Sequence, residues 1–309
     1  MLVRAARATD IGDLLELAAH AGAGLTTLPA SEDRLLRRLQ NVEQSFLGQV
    51  DRADSDYLFI LENDAGKVVG TSGMLGSAGM REPWYSYRMG LTVAASRELD
   101  VYRQQPTLFL VNDLTGSTAL CSLYLTPQYR RSDTARLISK ARFLFMAEFA
   151  SAFSARVIVE MRGRSDSAGR SPFWDSLGQH FFRMDFARAD YLTGMGNKAF
   201  IAEMMPKFPL YACFLSDAAR DAIGKVHPDS EAGLAIVQEE GMTYQGYIDI
   251  FDGGPTVEAD ISQIHTIQNS DLFTVNIVDE LESDKSVIIA NLSVKEFRAT
   301  GLTTVMSMD

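Results

Sequence analysis

Residues 126–150 carry five cations, Arg130, Arg131, Arg136, Lys140 and Arg142, against two acids, Asp133 and Glu148, in a chain whose net charge is −11. A local inversion of that size suggests a phosphate-bearing ligand rather than a generally basic surface. The cations follow a short apolar run, residues 119–125, that ends at Thr126-Pro127. A buried strand that leads through a basic turn into a helix start is a natural anion site, because free N–H groups and the helix dipole point the same way. A solvated helix face beside a core strand would show the same periodicity, and the residues alone leave both readings open. Of the four histidines, His227 stands apart. Pro228 ends local structure behind it and leaves the imidazole in an irregular joint between two helices. Imidazole exchanges protons near neutral pH, yet on the residues alone His227 reads as a loop histidine.

Regular elements must hold these groups in place. Beyond the turn, Leu137, Ala141, Leu144, Phe145 and Phe149 recur at helical steps, with Arg136, Ser139, Lys140 and Arg142 on the polar side. Ser132 or Asp133 can cap that helix. Upstream, a strand over 2–8 precedes a helix carrying Ile11, Leu14, Leu15, Leu17 and Ala18, which ends at Gly22-Ala23-Gly24. A second helix over 29–46 presents Leu35, Leu36, Leu39 and Val42 on one side and Arg34, Arg37 and Arg38 on the other. A hairpin follows, with strands over 57–61 and 68–73 joined through Asn63-Asp64-Ala65-Gly66-Lys67. Residues 83–102 are aromatic and show no clear period, and 106–111 read as a strand. Downstream come a strand over 156–161, a polar loop over 163–169, and an aromatic, glycine-bearing stretch to 215 that looks inserted. Helices over 217–223 and 231–240 follow, the second closed by Gly241 in the C′ role. Strands over 244–251 and 256–260 form a late hairpin, and 272–278, 286–291 and 297–304 suggest a small β-rich appendage.

Bulk composition narrows the function classes. At 309 residues with 46% hydrophobic and 22% charged content, the chain can bury a sizeable core in about two domains, or one with an appendage. A pI near 4.9 argues against general nucleic-acid binding. Cys121 and Cys213 make no disulfide framework, so a reducing compartment is expected. No apolar run approaches the roughly 20 residues of a membrane helix, and the start lacks a signal peptide's apolar core. The expectation is a soluble cytoplasmic protein with no membrane partner. No paired histidine or cysteine cluster suggests a metal site, and neither a Gly-x-Ser-x-Gly elbow nor a Gly-Lys-Ser/Thr phosphate loop occurs.

The order of elements fits an α/β (α+β) fold, a mixed sheet flanked by helices with its ligand at the end of the central strand. It resembles the Gcn5-related N-acyltransferase fold, in which this turn grips the pyrophosphate of coenzyme A. The division implied is an acyltransferase-like domain over 1–260 with an inserted helical and aromatic segment at about 163–225, then the appendage over 261–309. A closer resemblance spans nearly the whole chain. It is carried by Gly24-Leu25-Thr26-Thr27-Leu28-Pro29, Pro83-Trp84-Tyr85-Ser86-Tyr87-Arg88, Asn112-Asp113-Leu114-Thr115-Gly116 and Glu160-Met161-Arg162-Gly163. Ser171-Pro172-Phe173-Trp174, Lys198-Ala199-Phe200-Ile201-Ala202-Glu203, Val226-His227-Pro228 and Tyr247-Ile248-Asp249-Ile250-Phe251-Asp252-Gly253-Gly254-Pro255 continue it. On these motifs the chain is similar to the arginine N-succinyltransferase family of bacterial arginine catabolism.

That resemblance implies transfer of a succinyl group from succinyl-CoA, a co-substrate rather than a tightly bound cofactor, to the α-amine of L-arginine. It also implies that His227 is a proton donor, that Leu123 contacts succinyl-CoA, and that Arg130, Arg131, Ser132 and Ala135 line the phosphate turn. A protonated imidazole suits a departing thiolate, whose reference pKa lies near 8.5. The turn departs from a glycine-bearing pattern in one respect: Asp133 sets a negative charge near the pyrophosphate, or else caps the helix. Two alternatives stand beside arginine: a preference for ornithine, and, motivated by Asp133, a non-catalytic partner of an active paralogue. A homo-oligomer, or a hetero-oligomer with a paralogous subunit, is the expected assembly. Glu160, Glu203, Asp249 and Asp252 are candidate acids for the guanidinium, and Arg88 and Arg162 candidate cations for a carboxylate.

Overall fold

The computed structural model describes residues 1–21, 25–166, 168–195, 199–274 and 285–304. The expected helix end at Gly22-Ala23-Gly24, Lys198 of the sixth motif and most of the expected strand 272–278 lie outside these residues. Residues 272–274 are described and are not in a strand. The strands are β1 (Leu2–Ala5), β2 (Asp56–Glu62), β3 (Val68–Leu75), β4 (Ser86–Ser96), β5 (Val101–Val111), β6 (Thr118–Leu125), β7 (Arg156–Glu160), β8 (Leu210–Tyr211), β9 (Thr243–Ile248), β10 (Pro255–Asp260), β11 (Lys285–Ala290) and β12 (Arg298–Thr304). The helices are α1 (Ile11–Ala21), α2 (Glu32–Phe46), α3 (Ser132–Glu148), α4 (Pro172–Ser176), α5 (Gly178–Phe182), α6 (Phe186–Gly194), α7 (Ala199–Met204), α8 (Asp217–Ala222), α9 (Glu231–Glu239) and α10 (His265–Gln268).

These strands make one sheet in the order β11-β12-β1-β2-β3-β6-β7-β10-β9-β4-β5-β8. Among the described strands, only β6 and β7 run parallel. The β2–β3 hairpin follows from its turn chemistry. Asn63 Oδ1 accepts from the N–H groups of Ala65 and Lys67, both at 3.0 Å, and Gly66 takes φ +76°. Both strands are buried almost throughout because helices cover both faces. Ser72 Oγ donates to Ile138 O of α3 at 3.2 Å, whereas a Cβ at Gly73 would stand 3.0 Å from Arg38 of α2. Successive strand residues face opposite ways, so α3 lies on one face and α2 on the other. Leu58, Phe59, Ile60 and Leu61 are fully buried between these layers, each burial contributing about 1.5–3 kcal/mol.

Helices α4 to α8 pack with residues of the sheet around a second buried cluster. Trp174 stacks on Phe182 at 5.2 Å and on Phe251 at 5.4 Å, among the buried side chains of Tyr87, Leu108 and Phe173. β8 ties these helices to the sheet by pairing with β5 at Thr107 and Leu108. β12 pairs with β1, β11 extends the sheet beyond it, and Phe297 and Ala299 are buried in the main core. The aromatic stretch with no clear period is β4, which forms an eleven-pair hairpin with β5.

Candidate active site

β6 and β7 stay paired only from Thr118↔Val157 to Leu120↔Val159. β6 then continues to Leu125 paired with β3 only, because β7 ends at Glu160. The carboxyl ends of the two parallel strands therefore part, and ligands settle at such ends in α/β sheets. On its other edge β6 carries a bulge. Gly73 pairs with Cys121 and Thr71 with Tyr124, so Ser122 and Leu123 together face Ser72 without register partners. Ser122 takes φ +51°, a left-handed conformation that a serine adopts only when its surroundings enforce it.

Those surroundings are a dense polar cluster. The Ser122 amide donates to Thr27 Oγ1 at 3.1 Å, and its hydroxyl donates to Thr27 O at 3.2 Å. Arg38 Nη1 donates to Ser122 Oγ at 2.8 Å, and to Thr27 O as well. Asp56 holds Arg38 through two bonds, 2.7 Å to Nε and 2.8 Å to Nη2. Burial works against the Arg38 charge, but Asp56 outweighs it and raises the pKa above its ordinary value. The Ser122 amide is taken by Thr27, and Leu123 has no register partner on β3. Leu123 itself is half-buried against the core.

The turn after β6 is much less committed. Arg130, Arg131 and Ser132 are exposed, while Ala135 is half-buried against the core. Arg130 Nε donates to Leu125 O at 3.0 Å, and its guanidinium lies 5.5 Å from the centre of the Tyr124 ring. Arg131, not Ser132 or Asp133, occupies the N-cap of α3, and no side chain caps that end. Asp133 is exposed in the first turn. The other cations are spent elsewhere. Arg136 makes two bonds to Glu239 at 2.6 and 2.8 Å, and Lys140 pairs with the fully buried Glu240. Arg142 is buried, donating from Nε to Ser139 O at 3.3 Å, and burial lowers its pKa to about 10. The local surplus of positive charge thus narrows to Arg130 and Arg131.

His227 docks on the chain just past β7. Gly163 bridges to Val226, and the His227 amide donates to Arg162 O at 2.8 Å. Nδ1 accepts from the Asp229 amide at 3.2 Å, so the neutral ring carries its proton on Nε2. Burial, then the Arg162 charge, push the imidazole pKa below its ordinary 6.5, and the Asp229 carboxylate only partly opposes them. Asp252 fixes this joint from behind. Its Oδ2 accepts from the Gly163 amide at 2.6 Å and its Oδ1 from the Gly254 amide at 2.8 Å. A Cβ at Gly163 would stand 2.5 Å from Asp252 Oδ1 and 2.6 Å from its carbonyl oxygen, so only glycine fits there. Burial, then the neighbouring Asp249 charge, push the Asp252 pKa up, and the bonds from the Gly254 and Gly163 amides oppose that shift.

Leu123, Arg130, Arg131, Ser132 and Ala135 thus follow one strand of the parallel pair, and His227 sits past the end of the other. Thr27, Arg38 and Ser122 were not singled out from the sequence as site residues. Thr27 lies in the first of the motifs, and Arg38 in the arginine face of α2. The candidate acids divide: Glu160 accepts from Trp84 Nε1 at 2.9 Å, Asp249 and Asp252 shape the β9–β10 turn, and Glu203 is exposed. Arg88 lies 3.7 Å from Asp113 and over the Tyr247 ring. Among the described residues no His, Cys, Asp and Glu cluster could hold a metal, and no helix is long and apolar enough to cross a membrane.

A family profile described as arginine N-succinyltransferase beta subunit matches residues 1–266. Arginine N-succinyltransferase subunit beta of Pseudomonas aeruginosa is 54% identical over 300 residues, covering 97% of this chain and 88% of that protein. Arginine N-succinyltransferase of Yersinia enterocolitica is 45% identical over 311 residues, with 99% and 90% covered. The solved structure of arginine/ornithine succinyltransferase subunit AI from Pseudomonas aeruginosa superposes with a TM-score of 0.90 at 35% identity, over 99% of this chain and 90% of that one. With the parted parallel strands, the bulge and the histidine joint in place, the chain belongs to the arginine N-succinyltransferase family.

Proposed function

We propose that this chain transfers succinyl from succinyl-CoA to the α-amine of L-arginine, giving N2-succinyl-L-arginine and coenzyme A. The observation that carries this reading is the match, over 97% of this chain and at 54% identity, to an arginine N-succinyltransferase subunit. The parting of β6 and β7 supports a coenzyme lying between their ends. The diphosphate then meets Arg130, Arg131 and the uncapped amides from Ser132 onward, where dipole and charge act together. Ala135, small and one helical turn in, lets the phosphates approach.

A thioester is already activated, so no protein nucleophile is required. The amine attacks the carbonyl carbon and the C–N bond forms, while backbone N–H at the Leu123 bulge stabilises the oxyanion. The C–S bond then breaks. One proton must leave nitrogen and one must reach sulfur. His227 Nε2 serves both: its lowered pKa favours a neutral ring that accepts from the amine, and the resulting imidazolium donates to the thiolate. Arg162 makes that imidazolium the stronger acid.

The relatives named as subunits favour an oligomer, either of this chain or with a paralogue. The solved neighbour's arginine/ornithine name keeps ornithine as a second acceptor. Thiol release by the purified chain alone, with succinyl-CoA and either amino acid, tests the whole reading. Arginine-dependent release is expected. Faster release with ornithine would change the acceptor, and none in a folded, coenzyme-binding chain would contradict catalysis by this chain alone.

A further inference from the structure

On the α2 face of the sheet, beside the Ser122 bulge, lies a cavity of about 370 Å³. Thr27, Arg34, Arg37, Arg38, Asp56 and Glu82 are among its lining residues. Two of these grip the bulge directly, Thr27 through the Ser122 amide and Arg38 through the Ser122 hydroxyl. The cavity therefore abuts the backbone proposed to hold the reacting carbonyl, and its size suits a small molecule.

Its charges are unevenly satisfied. Arg34, Arg37 and Arg38 stand three and four residues apart on α2 and so share one side of the helix. Asp56 neutralises Arg38. Arg34 donates to the neutral carbonyl of Met195, and Arg37 is exposed. Among the described residues neither Arg34 nor Arg37 forms an ion pair. Burial and the nearby Arg37 charge lower the Arg34 pKa, and the Glu82 charge only partly opposes them. An anion placed between the two guanidinium groups would relieve that repulsion.

We propose that this cavity is a carboxylate-binding subsite in which Arg34 and Arg37 clamp a substrate carboxylate next to the reaction centre. The planar guanidinium fork matches carboxylate geometry better than an ammonium does. The inference rests on the succinyl-transfer reading, which supplies two carboxylates a few bonds from the reacting atoms: the acceptor's α-carboxylate and the free end of the succinyl group.

The test compares kcat/KM for arginine against agmatine, its decarboxylated form, and for succinyl-CoA against acetyl-CoA, in the wild type, R34Q, R37Q, R34K and R37K. Unchanged melting temperatures show that the variants fold, and exposed Arg37 offers the safer substitution. One of the two ratios is expected to drop roughly 10- to 100-fold in the glutamine variants, the size of a lost charged hydrogen bond, with partial recovery in the lysine variants. A fall in the arginine ratio assigns the α-carboxylate, and a fall in the succinyl ratio assigns the acyl end. Both ratios holding within about twofold in folded variants overturns the subsite. Should the wild type transfer nothing, the functional reading fails by itself. Calorimetric titration of L-arginine and of succinate into the same proteins then decides: weaker binding of either by R34Q and R37Q supports the subsite, and equal binding overturns it.

Discussion

The two flanks of β6 are built in opposite ways. On the bulge side Thr27, Arg38 and Asp56 surround Ser122 with bonds of 2.7–3.2 Å, and almost every polar group has a partner. On the turn side Arg130, Arg131 and Ser132 face solvent before a helix start that no side chain caps. The chemistry explains the difference. A carbonyl carbon must be held to a fraction of an ångström, which needs backbone fixed by its surroundings. A diphosphate would be held by charge and by several interchangeable donors, so under the proposed reading exposed arginines and free amides would serve it. The histidine joint belongs with the rigid side, since Asp252 and the Gly163–Val226 bridge fix its backbone.

Changes at the rigid parts should therefore lower turnover, and changes at the turn should raise the coenzyme requirement. The largest effect is expected from His227→Ala, which should lower kcat by roughly 100- to 10,000-fold, the usual worth of a positioned acid or base, with coenzyme affinity intact in equilibrium titration. Gly163→Ala comes next. Its Cβ would collide with the Asp252 backbone, costing about 1–3 kcal/mol in denaturant unfolding and displacing His227, so kcat should fall as well. At the turn, replacing both Arg130 and Arg131 by Gln should raise KM for succinyl-CoA by roughly tenfold or more and flatten its salt dependence, while kcat stays near the wild-type value. If kcat fell in that variant instead, the division between the two flanks would be wrong.

The smallest effect concerns pH. The Arg162 charge is the second cause, after burial, that lowers the His227 pKa. The acid limb of kcat/KM should therefore lie below 6.5. Removing a positive charge favours the imidazolium, so Arg162→Gln should move that limb upward. A limb that stays put, or moves down, would take Arg162 away from the histidine.

Local patterns foretold much of this molecule. The β2–β3 hairpin, the strand–turn–helix over 119–148 and the helix stop at Gly241, with φ +90°, are short-range features that turn residues and helical period reveal. The bulge was hidden because nothing in a strand's composition announces a serine at positive φ. The partners of Arg136 and Lys140 were hidden too, since Glu239 and Glu240 lie about 100 residues away in sequence. That hidden pairing is why a count of charges overstated the cationic surplus of the turn. The docking of the tail was hidden for the same reason: β12 pairs with β1 at the other end of the chain. His227 became a candidate only through the family resemblance, because its setting depends on Arg162 and Asp252 arriving from separate strand ends.

The most direct measurement is a crystal structure of the chain with coenzyme A. The diphosphate should lie against Arg130, Arg131 and the first amides of α3, and the sulfur between the Leu123 backbone and His227. Phosphates bound anywhere else, or a sulfur remote from His227, would contradict the placement of the active centre between the parted ends of β6 and β7.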